Sequence, residues 1–579
     1  MEQKDFWIGC NYWASNAGCL MWRRWDENAV RTDMKRMAAA GMNCLRVFAN
    51  WEDFQPVIPI YGGGGSLKRY AMADGSRPTN PWYLDEVMMS RFETFCDIAL
   101  ENGISLIVGP LTGWMSGRLF VPPVLRGRNL FTDPVALLFE QKYLQGFVTR
   151  MRHHQAIAAW DHGNECDCMS PVESREVMQS WTIMMTNAIR AADPDRPVVT
   201  GIHNLSLTGS KRIGDQGECV DMLVTHPYPF WVQHCGGHPI LSMKTLVHAS
   251  AQTALYADVS GKPCLVEEIG TMGPMICSEE AASHFLRLNM LLAYLYNRPG
   301  MLWWNGFDQN FGDSPYLENA CERELGMFTQ DGRAKAFTNE MTATAQRLKT
   351  MPALSGYHVD AVCILSENQD PWKIAYATFL LAAQAGLTVA FADGAQPLPE
   401  ANAYILPNVG GLDKDRYDDL KCRVRAGAKL YLSMGSGILT EFEELTGLRI
   451  EDSAGAFRCS FELDGKIISG RGQRQLIYRG EPNGLHWHPY GAGVVYTLDF
   501  SPEDCLFDLE NPEQNDFYRI YRHIFREEIQ AHPIDPADPE VGVIWHPRDG
   551  LCGIVNYSGK TKVVAGHEIK PYDAILTEV

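Results

Sequence analysis

The chain has 579 residues, and its 46% hydrophobic and 21% charged composition is typical of folded globular proteins. Its net charge of −19 at pH 7 excludes the basic face that phosphate contacts require, so no nucleic-acid partner is expected. The N-terminal stretch MEQKDFWIGCNYW lacks the segments of a secretion signal, and no run approaches the roughly 18 apolar residues of a membrane span. We therefore predict a cytoplasmic protein without membrane contact, whose 16 cysteines are reduced thiols.

Strand-like apolar runs alternate with amphipathic helical windows over the first 350 residues. The eight runs are FWIGCNYW (6–13), NCLRVFANW (43–51), ISLIVGPL (104–111), IAAWDHGNE (157–165), PVVTGIHN (197–204), DMLVTHPY (221–228), PCLVEEIG (263–270) and GMLWWNGF (300–307). Strands separated by helices pair in parallel, and eight such units predict a (β/α)8 TIM barrel. Only the crossover LSLTGSKRIGDQGECV is too polar and short to predict a helix.

Two helix starts have local capping signals. Asp133 followed by Pro134 predicts an N-cap, because a short acidic side chain accepts hydrogen bonds from the first free backbone N–H groups. Ser170 with Glu173, around Pro171, fits a capping box and predicts a second helix start there.

The linker-like stretch KTMPALSG (349–356) separates the barrel from a second α/β pattern. Short apolar strands alternate with helices there, which predicts a doubly wound, flavodoxin-like domain. The last 40 residues contain only strand and turn signals, and they predict a small antiparallel β domain. We predict three domains, at residues 1–350, 357–530 and 535–579.

Active-site residues of such barrels lie at the C-terminal ends of the strands. Two of these ends carry acids, the fourth and the seventh, and they face each other across the mouth, so two carboxylates can converge on one bond. The residues at the strand ends are Asn11, Trp13, Arg46, Trp51, Trp114, Asn164, Glu165, His203, His226, Tyr228, Glu267, Glu268, Trp303 and Trp304. For Asn11, Trp13, Trp51 and Trp114, packing and substrate contact remain equal alternatives.

Five of these strand-end motifs together resemble glycoside hydrolase family 5 and its clan of retaining (β/α)8 enzymes. They are GNE on the fourth strand, HPY on the sixth, EEIG on the seventh, LWW on the eighth and Arg46 on the second. The resemblance implies that Glu165 is the general acid/base and Glu268 the nucleophile. Since neighbours on a strand face opposite sides, only one of Glu267 and Glu268 is expected to point into the mouth. Ile269 departs from the family, where an aromatic residue is more usual.

The same resemblance implies roles for the residues around the two acids. Asn164 would hold the sugar 2-hydroxyl, and His226 would orient the acid/base side. The nucleophile would receive hydrogen bonds from Arg46 and Tyr228. Trp304 would stack on the bound sugar, with Trp303 as the alternative if the strand phase is reversed.

Two clusters fit a metal less well than they fit structural roles. His162, Cys166 and Cys168 lie close in sequence, but Cys-x-Cys is shorter than the usual zinc spacing and no second cysteine pair is near. The loop HCGGH offers His234, Cys235 and His238, although such loops more often shape a pocket. Because two carboxylates suffice for the chemistry, we expect neither a metal nor a cofactor.

The second domain is similar to the non-catalytic, amidotransferase-like domain of family 42 β-galactosidases, over about residues 357–500. The resemblance implies oligomerisation, with the trimer as the form found in that family, and a wall for a neighbouring pocket. A nucleophile elbow is not expected, because YLSMGSG does not fit G-x-S-x-G around Ser433 or Ser436.

The resemblance implies a retaining β-glycosidase. Long loops after the second, third and sixth strands favour a closed pocket, and a closed pocket favours exo action. By resemblance alone, the substrate would be a short β-1,4-mannoside such as Manβ1-4GlcNAc or mannobiose. A β-galactosidase or β-glucosidase on the same scaffold is the nearest alternative. An endo-β-mannanase or cellulase is a weaker one, and a non-catalytic sugar-binding protein is the alternative from another class.

Overall fold

The computed structural model describes residues 6–579, so the first five residues of the N-terminal stretch considered above lie outside the described residues. The chain forms two compact units, and both are discontinuous in sequence. The first comprises the described residues up to Phe230 with Ser260–Tyr294 and Arg298–Met351, and the second comprises Trp231–Val259, Leu295–Asn297 and Pro352–Val579. No described helix has the length and apolarity needed to cross a bilayer. The three-domain boundaries stay a prediction.

Eight parallel strands form the predicted barrel. They are β1 (Trp7–Tyr12), β2 (Cys44–Asn50), β3 (Ser105–Thr112), β4 (Ile157–Asp161), β5 (Val198–Val199), β6 (Leu223–Thr225), β7 (Cys264–Ile269) and β8 (Gly300–Trp303). Their order in the sheet is β6-β7-β8-β1-β2-β3-β4-β5. A bridge between Val199 and Met222 joins β5 to the start of β6, where the Thr200 N–H donates to the Met222 carbonyl at 3.1 Å. The barrel prediction is confirmed for all eight strands.

A helix follows each strand, including the crossover whose sequence was too polar to predict one. The helices are α1 (Glu27–Ala39), α2 (Glu86–Glu101), α3 (Pro134–Met151), α4 (Arg175–Ala192), α5 (Ile213–Cys219), α6 (Met243–Ser260), α7 (Glu279–Leu295) and α8 (Ala336–Leu348). The crossover helix α5 has only seven residues. Almost all of α6 belongs to the second compact unit.

One predicted helix cap is confirmed and the other is wrong. Asp133 caps α3 by accepting from the N–H groups of Val135 and Ala136. Helix α4 instead begins after Ser174, whose side chain accepts from Val177 N. The Ser170 hydroxyl instead accepts a hydrogen bond from Leu130 N in another loop. This contact between distant segments occupies the side chain that the local pattern assigned to a helix cap.

Short elements extend the loops at the C-terminal ends of the strands. After β2 come the helix Trp51–Phe54 and a hairpin of Val57–Tyr61 with Leu67–Met72, and after β3 comes a hairpin of Trp114–Met115 with Arg118–Leu119. Single 3-10 turns occupy Pro123–Leu125, Cys166–Cys168 and Ala320–Glu324. These loops surround the strand ends that carry the predicted site.

All eight strands or their immediate flanks contribute to one apolar layer inside the barrel, and this layer supports the polar residues above it. Its buried members are Trp7, Cys44, Ile107, Ala159, Val199, Met222, Val224, Leu265 and Leu302. Side chains two positions further along a strand share the same face. Four strands therefore place Asn11, Arg46, Asp161 and Glu267 directly above the apolar layer.

The second unit contains the predicted flavodoxin-like sheet. Its strands are β9 (Ala361–Leu365), β10 (Val389–Asp393), β11 (Ala403–Val409), β12 (Lys429–Met434), β13 (Leu485–Tyr490) and β14 (Gly493–Leu498). The order β10-β9-β11-β12-β14 is parallel throughout and matches the 2-1-3-4-5 order of that fold. Strand β13 pairs antiparallel at the edge. The main helices are α9 (Pro371–Ala385) and α10 (Lys414–Arg425), and shorter ones are Phe442–Thr446, Pro502–Cys505, Tyr518–Ile524 and Arg526–Ala531.

The remaining strands of the second unit are antiparallel. Ile450–Ala454 pairs with Gln475–Tyr478, and Phe457–Leu463 pairs with Lys466–Gly472. The C-terminal strands are β15 (Val541–His546), β16 (Leu551–Asn556), β17 (Lys562–Val564), β18 (His567–Ile569) and β19 (Asp573–Glu578). They form the sheet β15-β16-β19 and the hairpin β17–β18, which confirms the predicted small β domain as a fold.

Gly9 sets how closely β1 approaches β2 in the barrel. A Cβ atom at this position would lie 1.7 Å from the Cys44 carbonyl oxygen, a backbone atom that cannot move alone. We expect Gly9→Ala to lower the free energy of unfolding by about 3 kcal/mol or more, because the strands must separate. Urea denaturation measures this. Gly63→Ala is the control, since a Cβ there meets nothing within 4 Å; equal stability of both variants would contradict the expectation.

Candidate active site

Arg46 is a fully buried cation at the centre of the barrel mouth. Its Nη1 donates to Glu268 Oε1 at 2.6 Å, and its Nη2 lies 2.8 Å from Asp161 Oδ2 and 3.2 Å from Glu267 Oε2. Burial alone would lower the pKa of Arg46, but the carboxyls of Glu267, Asp161 and Glu268 outweigh it and raise the pKa. One guanidinium therefore holds three carboxyl groups in fixed positions.

Both acids of the EEIG motif point to this guanidinium, which corrects the expectation that only one of them faces the mouth. Glu267 follows the alternation of β7, since it shares the inward face with Leu265 of the apolar layer. The pairing of β7 with β8 shifts register between Val266 and Ile269. Such an irregularity re-aims a side chain beside an active site, and here it turns Glu268 to the same side as Glu267.

Glu268 is held from two directions and is only 4% exposed. Arg46 donates to Oε1, and the Tyr228 hydroxyl donates to Oε2 at 2.7 Å. Burial raises the pKa of Tyr228 well above its ordinary value, so its hydroxyl keeps the proton that it donates. The predicted contacts of Arg46 and Tyr228 with Glu268 are thus present in the structure.

Glu165 lies beside Glu268, in a more open position. Its backbone is left-handed, with φ of 42°, directly before the 3-10 turn Cys166–Cys168. Its side chain is 23% exposed, and Oε1 lies 3.0 Å from His226 Nδ1. The same nitrogen lies 3.4 Å from Glu268 Oε2. The two carboxyl oxygens are therefore no farther apart than the sum of those two distances.

His226 is a buried imidazole that contacts carboxyls through both ring nitrogens. Nδ1 faces Glu165 and Glu268, while Nε2 lies 3.2 Å from Glu267 Oε2. Burial lowers the pKa of His226 well below its ordinary value, although the Glu268 charge opposes this. At neutral pH the ring is therefore uncharged and carries a proton on only one nitrogen.

His203 was noted at its strand end without a role, and the structure places it against Glu165. Its Nε2 is 3.6 Å from Glu165 Oε1 and its Nδ1 is 3.4 Å from Asp167 Oδ1. Lys211 Nζ lies 2.6 Å from the other Asp167 oxygen. Burial disfavours the charged ring, but Glu165 and Asp167 outweigh it and raise the pKa of His203 to about 9. The pKa of Asp167, which burial would raise, is lowered to about 2 by His203 and Lys211.

Two asparagines brace the site through hydrogen bonds to Arg46 and the backbone. Asn11 donates to the Glu267 carbonyl at 2.9 Å, and its Oδ1 accepts from Arg46 Nη1 at 3.3 Å. Asn164 Oδ1 also accepts from Arg46 Nη1, at 3.2 Å, while its Nδ2 donates to the Trp114 carbonyl. The half-buried Trp114 therefore joins the site through its backbone.

The five predicted tryptophans divide between the mouth and the packing. Trp304 lies near the mouth, with its ring centroid 6.2 Å from that of Phe48. The Trp303 ring packs on Phe337, on the helix side of β8, so the strand phase favours Trp304. Trp13 and Trp51 are fully buried, and their rings stack on Phe48 and Tyr143 respectively, which favours packing over substrate contact for these two.

Glu322 is a fifth carboxyl near the mouth, in addition to Asp161, Glu165, Glu267 and Glu268, and the strand-end pattern did not predict it. It lies in the 3-10 turn Ala320–Glu324 and accepts from Trp304 Nε1 at 3.0 Å. Burial and the Glu268 and Glu165 charges raise its pKa to about 7, although the Trp304 hydrogen bond lowers it. No strand pattern marks this residue, because it lies in a long irregular loop.

The two sequence clusters considered for metal binding do not converge. His162 is buried and lies 2.9 Å from Thr186 on α4, whereas Cys168 is exposed. His234 Nε2 lies 2.9 Å from Asp370, and Cys235 accepts from the Tyr376 hydroxyl. Within residues 6–579, His, Cys, Asp and Glu ligand atoms converge in Glu165–His203–His226 and His358–Asp360–His532 instead.

Ser433 of the second unit is also accounted for by packing. Its side chain is fully buried, and the hydroxyl donates to Glu503 Oε2 at 2.7 Å while accepting from Asn408 N. A hydroxyl enclosed in this way serves the sheet rather than a substrate.

The pKa of His203 predicts a pH-dependent contribution to stability. Because the folded pKa of about 9 lies above the ordinary 6.5, the stabilisation is complete below about pH 6.5 and is lost as the pH rises through 9. The free energy of unfolding of the wild type should exceed that of His203→Gln at pH 6. This difference between the two proteins should be about 1–3 kcal/mol smaller at pH 10. Urea titrations at both pH values measure it, and a pH-independent difference would contradict the charged pair.

Comparisons with known proteins agree with this arrangement. The family model described as cellulase (glycosyl hydrolase family 5) matches residues 3–306, more than half of the chain. The mannan endo-1,4-beta-mannosidase F of Aspergillus clavatus is 24% identical over 286 residues, 47% of this chain, and the chain spans only 63% of that relative's length.

Two solved structures share the fold over nearly the whole chain. One is the exo-beta-1,4-mannosidase Op5Man5 from Opitutaceae bacterium strain TAV5, with a TM-score of 0.75, 22% identity and coverage of 90% of this chain and 96% of that one. The other is the cold-adapted beta-galactosidase from Rahnella sp. R3, with a TM-score of 0.72, 13% identity and coverage of 100% and 99%. With the family model matched over the barrel and its strand-end acids, the chain belongs to glycosyl hydrolase family 5.

Proposed function

We propose that this chain is a retaining β-glycosidase in which Glu268 is the nucleophile and Glu165 the general acid/base. The observation that carries the proposal is the single nitrogen, His226 Nδ1, that lies 3.0 Å from Glu165 and 3.4 Å from Glu268. The sum of these distances is below the roughly 6.5 Å separation at which inverting enzymes begin to leave room for a water molecule. A separation of this size supports retention of anomeric configuration, because retaining enzymes hold their two carboxyl groups closer together than inverting enzymes do.

The reaction proceeds in two displacements. Glu268 attacks the anomeric carbon while Glu165 protonates the departing oxygen, and a covalent glycosyl-enzyme forms. Glu165 then removes a proton from water, which attacks the same carbon and releases the sugar. Arg46 and Tyr228 hold Glu268 in one orientation during both steps, since each occupies one of its oxygens.

The sugar is proposed to be a β-mannoside, and the action to be removal of a terminal residue. Op5Man5 supports both parts of the proposal, since it is named an exo-beta-1,4-mannosidase and aligns with nearly the whole chain. Trp304 supplies the aromatic face on which the sugar stacks, and Asn164 supplies the contact to the 2-hydroxyl. Manβ1-4GlcNAc and mannobiose are the substrates that this proposal names.

Hydrogen bonds between two loops across the mouth support exo action. The hairpin after β3 meets the loop after β8, where Asn319 Nδ2 donates to the Ser116 carbonyl at 3.2 Å. Arg118 Nη1 donates to the Ser314 carbonyl at 3.3 Å. A polysaccharide chain needs an unobstructed groove, and joined loops obstruct one side of it. A terminal sugar requires no such passage.

Other functions keep specific support. The Rahnella enzyme, a β-galactosidase with the same fold, keeps a β-galactosidase or β-glucosidase as the second candidate. The Aspergillus relative, an endo-mannosidase, keeps an endo-mannanase as the third. A non-catalytic sugar-binding protein is the least favoured, because it has no need of two carboxyls in this arrangement. A cytoplasmic location stays a prediction. A homo-oligomer, with the trimer as its expected form, also stays a prediction, and light scattering after gel filtration measures the number of subunits.

Removing each proposed catalytic carboxyl has a distinct expected effect. Glu268→Ala should abolish hydrolysis of nitrophenyl β-mannoside, because no nucleophile remains. Glu165→Ala should lower kcat/KM by roughly 100-fold or more for poor leaving groups and much less for dinitrophenyl mannoside, which needs no proton. Steady-state kinetics measures both, with the exposed Glu280→Ala as the matched control. Substantial activity in Glu268→Ala would contradict the assignment.

The first product released from an oligosaccharide distinguishes exo from endo action. Borohydride-reduced mannotetraose should release mannose first, together with reduced mannotriose, and the released mannose should be the β-anomer in early NMR spectra. Mannobiose as the first product would contradict exo action. Faster cleavage of galactosides or glucosides in the same panel of nitrophenyl sugars would favour the second candidate.

A further inference from the structure

Glu267 is a buried acid for which the two-step reaction has no use. It is fully enclosed, and its Oε2 lies 3.2 Å from both Arg46 Nη2 and His226 Nε2. Its Oε1 is buried without a hydrogen-bond partner among the described residues. Arg46 is already shared with Asp161 and Glu268, so one positive charge faces three carboxyls. An enclosed cluster of this composition favours at least one protonated carboxyl.

The imidazole of His226 links this acid to Glu165. A neutral ring carries one proton, so it donates through one nitrogen and accepts through the other. Nδ1 faces Glu165 at 3.0 Å, and Nε2 faces Glu267 at 3.2 Å. If the ring donates to Glu165, then Glu267 must donate to the ring, and if the ring donates to Glu267, then Glu165 must donate. Either hydrogen-bond pattern therefore requires a proton on one of these two carboxyls.

We propose that Glu267 is a positioning residue that exchanges a proton with Glu165 through His226, and that it holds this proton in the free protein at neutral pH. The proposal rests on the role of Glu165 as acid/base. The proton leaves Glu267 Oε2 for His226 Nε2 while the Nδ1 proton passes to Glu165 Oε1, and the return step reverses both transfers. Atoms are conserved, and one negative charge moves between Glu165 and Glu267, which lies beside Arg46.

The charges around the relay explain why Glu165 needs it. His203, whose pKa is raised to about 9, lies 3.6 Å from Glu165 and places a positive charge beside it. The relay gives Glu165 a proton for the first displacement and leaves the negative charge on Glu267, next to Arg46. Burial, more than any neighbour, raises the pKa of Glu267 well above its ordinary value, which agrees with a proton held there. The charged or titratable groups that interact with the relay are Arg46, Asp161, Glu268, His203, Tyr228, Glu322 and Cys168, with Asp167 and Lys211 behind His203.

Glu267→Gln tests the relay, because its amide keeps the size of the carboxyl and can still accept from Arg46 but exchanges no proton with the ring. We expect kcat/KM to fall by roughly tenfold or more for phenyl β-mannoside and by only a few-fold for dinitrophenyl β-mannoside. Asp161→Asn, which also removes an Arg46 partner but does not contact His226, should lower activity equally for both leaving groups. Equal losses in Glu267→Gln would overturn the proposal.

An infrared difference spectrum at pH 7 tests the proton without requiring activity. The spectrum of the wild type minus that of Glu267→Gln should contain the C=O stretching band of a protonated, buried carboxyl, and subtraction of Glu165→Gln/Glu267→Gln from Glu165→Gln should show it too. Bands of other protonated carboxyls, such as those of Glu140 and Glu322, cancel in both differences. An active protein without this band contradicts the relay. A protein that shows the band but cleaves no glycoside contradicts the proposed function, so the two failures are distinguishable.

Discussion

A single buried cation, Arg46, determines the arrangement of the mouth. A guanidinium without exposure to water requires partners of opposite charge, and Asp161, Glu267 and Glu268 supply them from β4 and β7. Its flat fork has donors in several directions, so the three carboxyls are fixed relative to one another as well as to Arg46. A lysine would offer one point charge in place of this frame. The positions of the proposed nucleophile and of the proton relay both depend on it.

The barrel supplies this frame through strand periodicity and one departure from it. Cys44 and Arg46, Ala159 and Asp161, and Leu265 and Glu267 are each two residues apart, so the apolar member packs inside and the polar member lies above it. A regular β7 would have turned Glu268 outward. The register shift between Val266 and Ile269 brings it to the mouth instead, so adjacent residues contribute both the proposed nucleophile and a buried acid.

The sequence predicts those features of the structure that follow from the periodicity of its strands and helices. The eight strands, the flavodoxin-like domain and the presence of acids at the ends of two facing strands follow from apolar runs, whereas the choice of Glu165, Glu268 and Trp304 came from the resemblance to glycoside hydrolase family 5. Contacts between distant segments do not leave such a pattern. The register shift in β7 depends on pairing with β8, Ser170 is used by a loop 40 residues away, and Glu322 approaches Trp304 from an irregular loop. His203 was visible at its strand end, but its charge depends on Asp167 and Glu165.

The excess of carboxyls over cations at the mouth has a cost and a use. Burying Asp161, Glu267 and Glu268 around one guanidinium destabilises the fold relative to apolar packing, and such clusters are typical of functional sites. In glycoside hydrolysis the sugar becomes oxocarbenium-like, so positive charge develops at the anomeric carbon. A cation in contact with the sugar would oppose this, but Arg46 is fully buried and donates to Glu268 Oε1. In the proposed reaction the carboxylates would therefore face the transition state, and the cation would hold the proposed nucleophile in place.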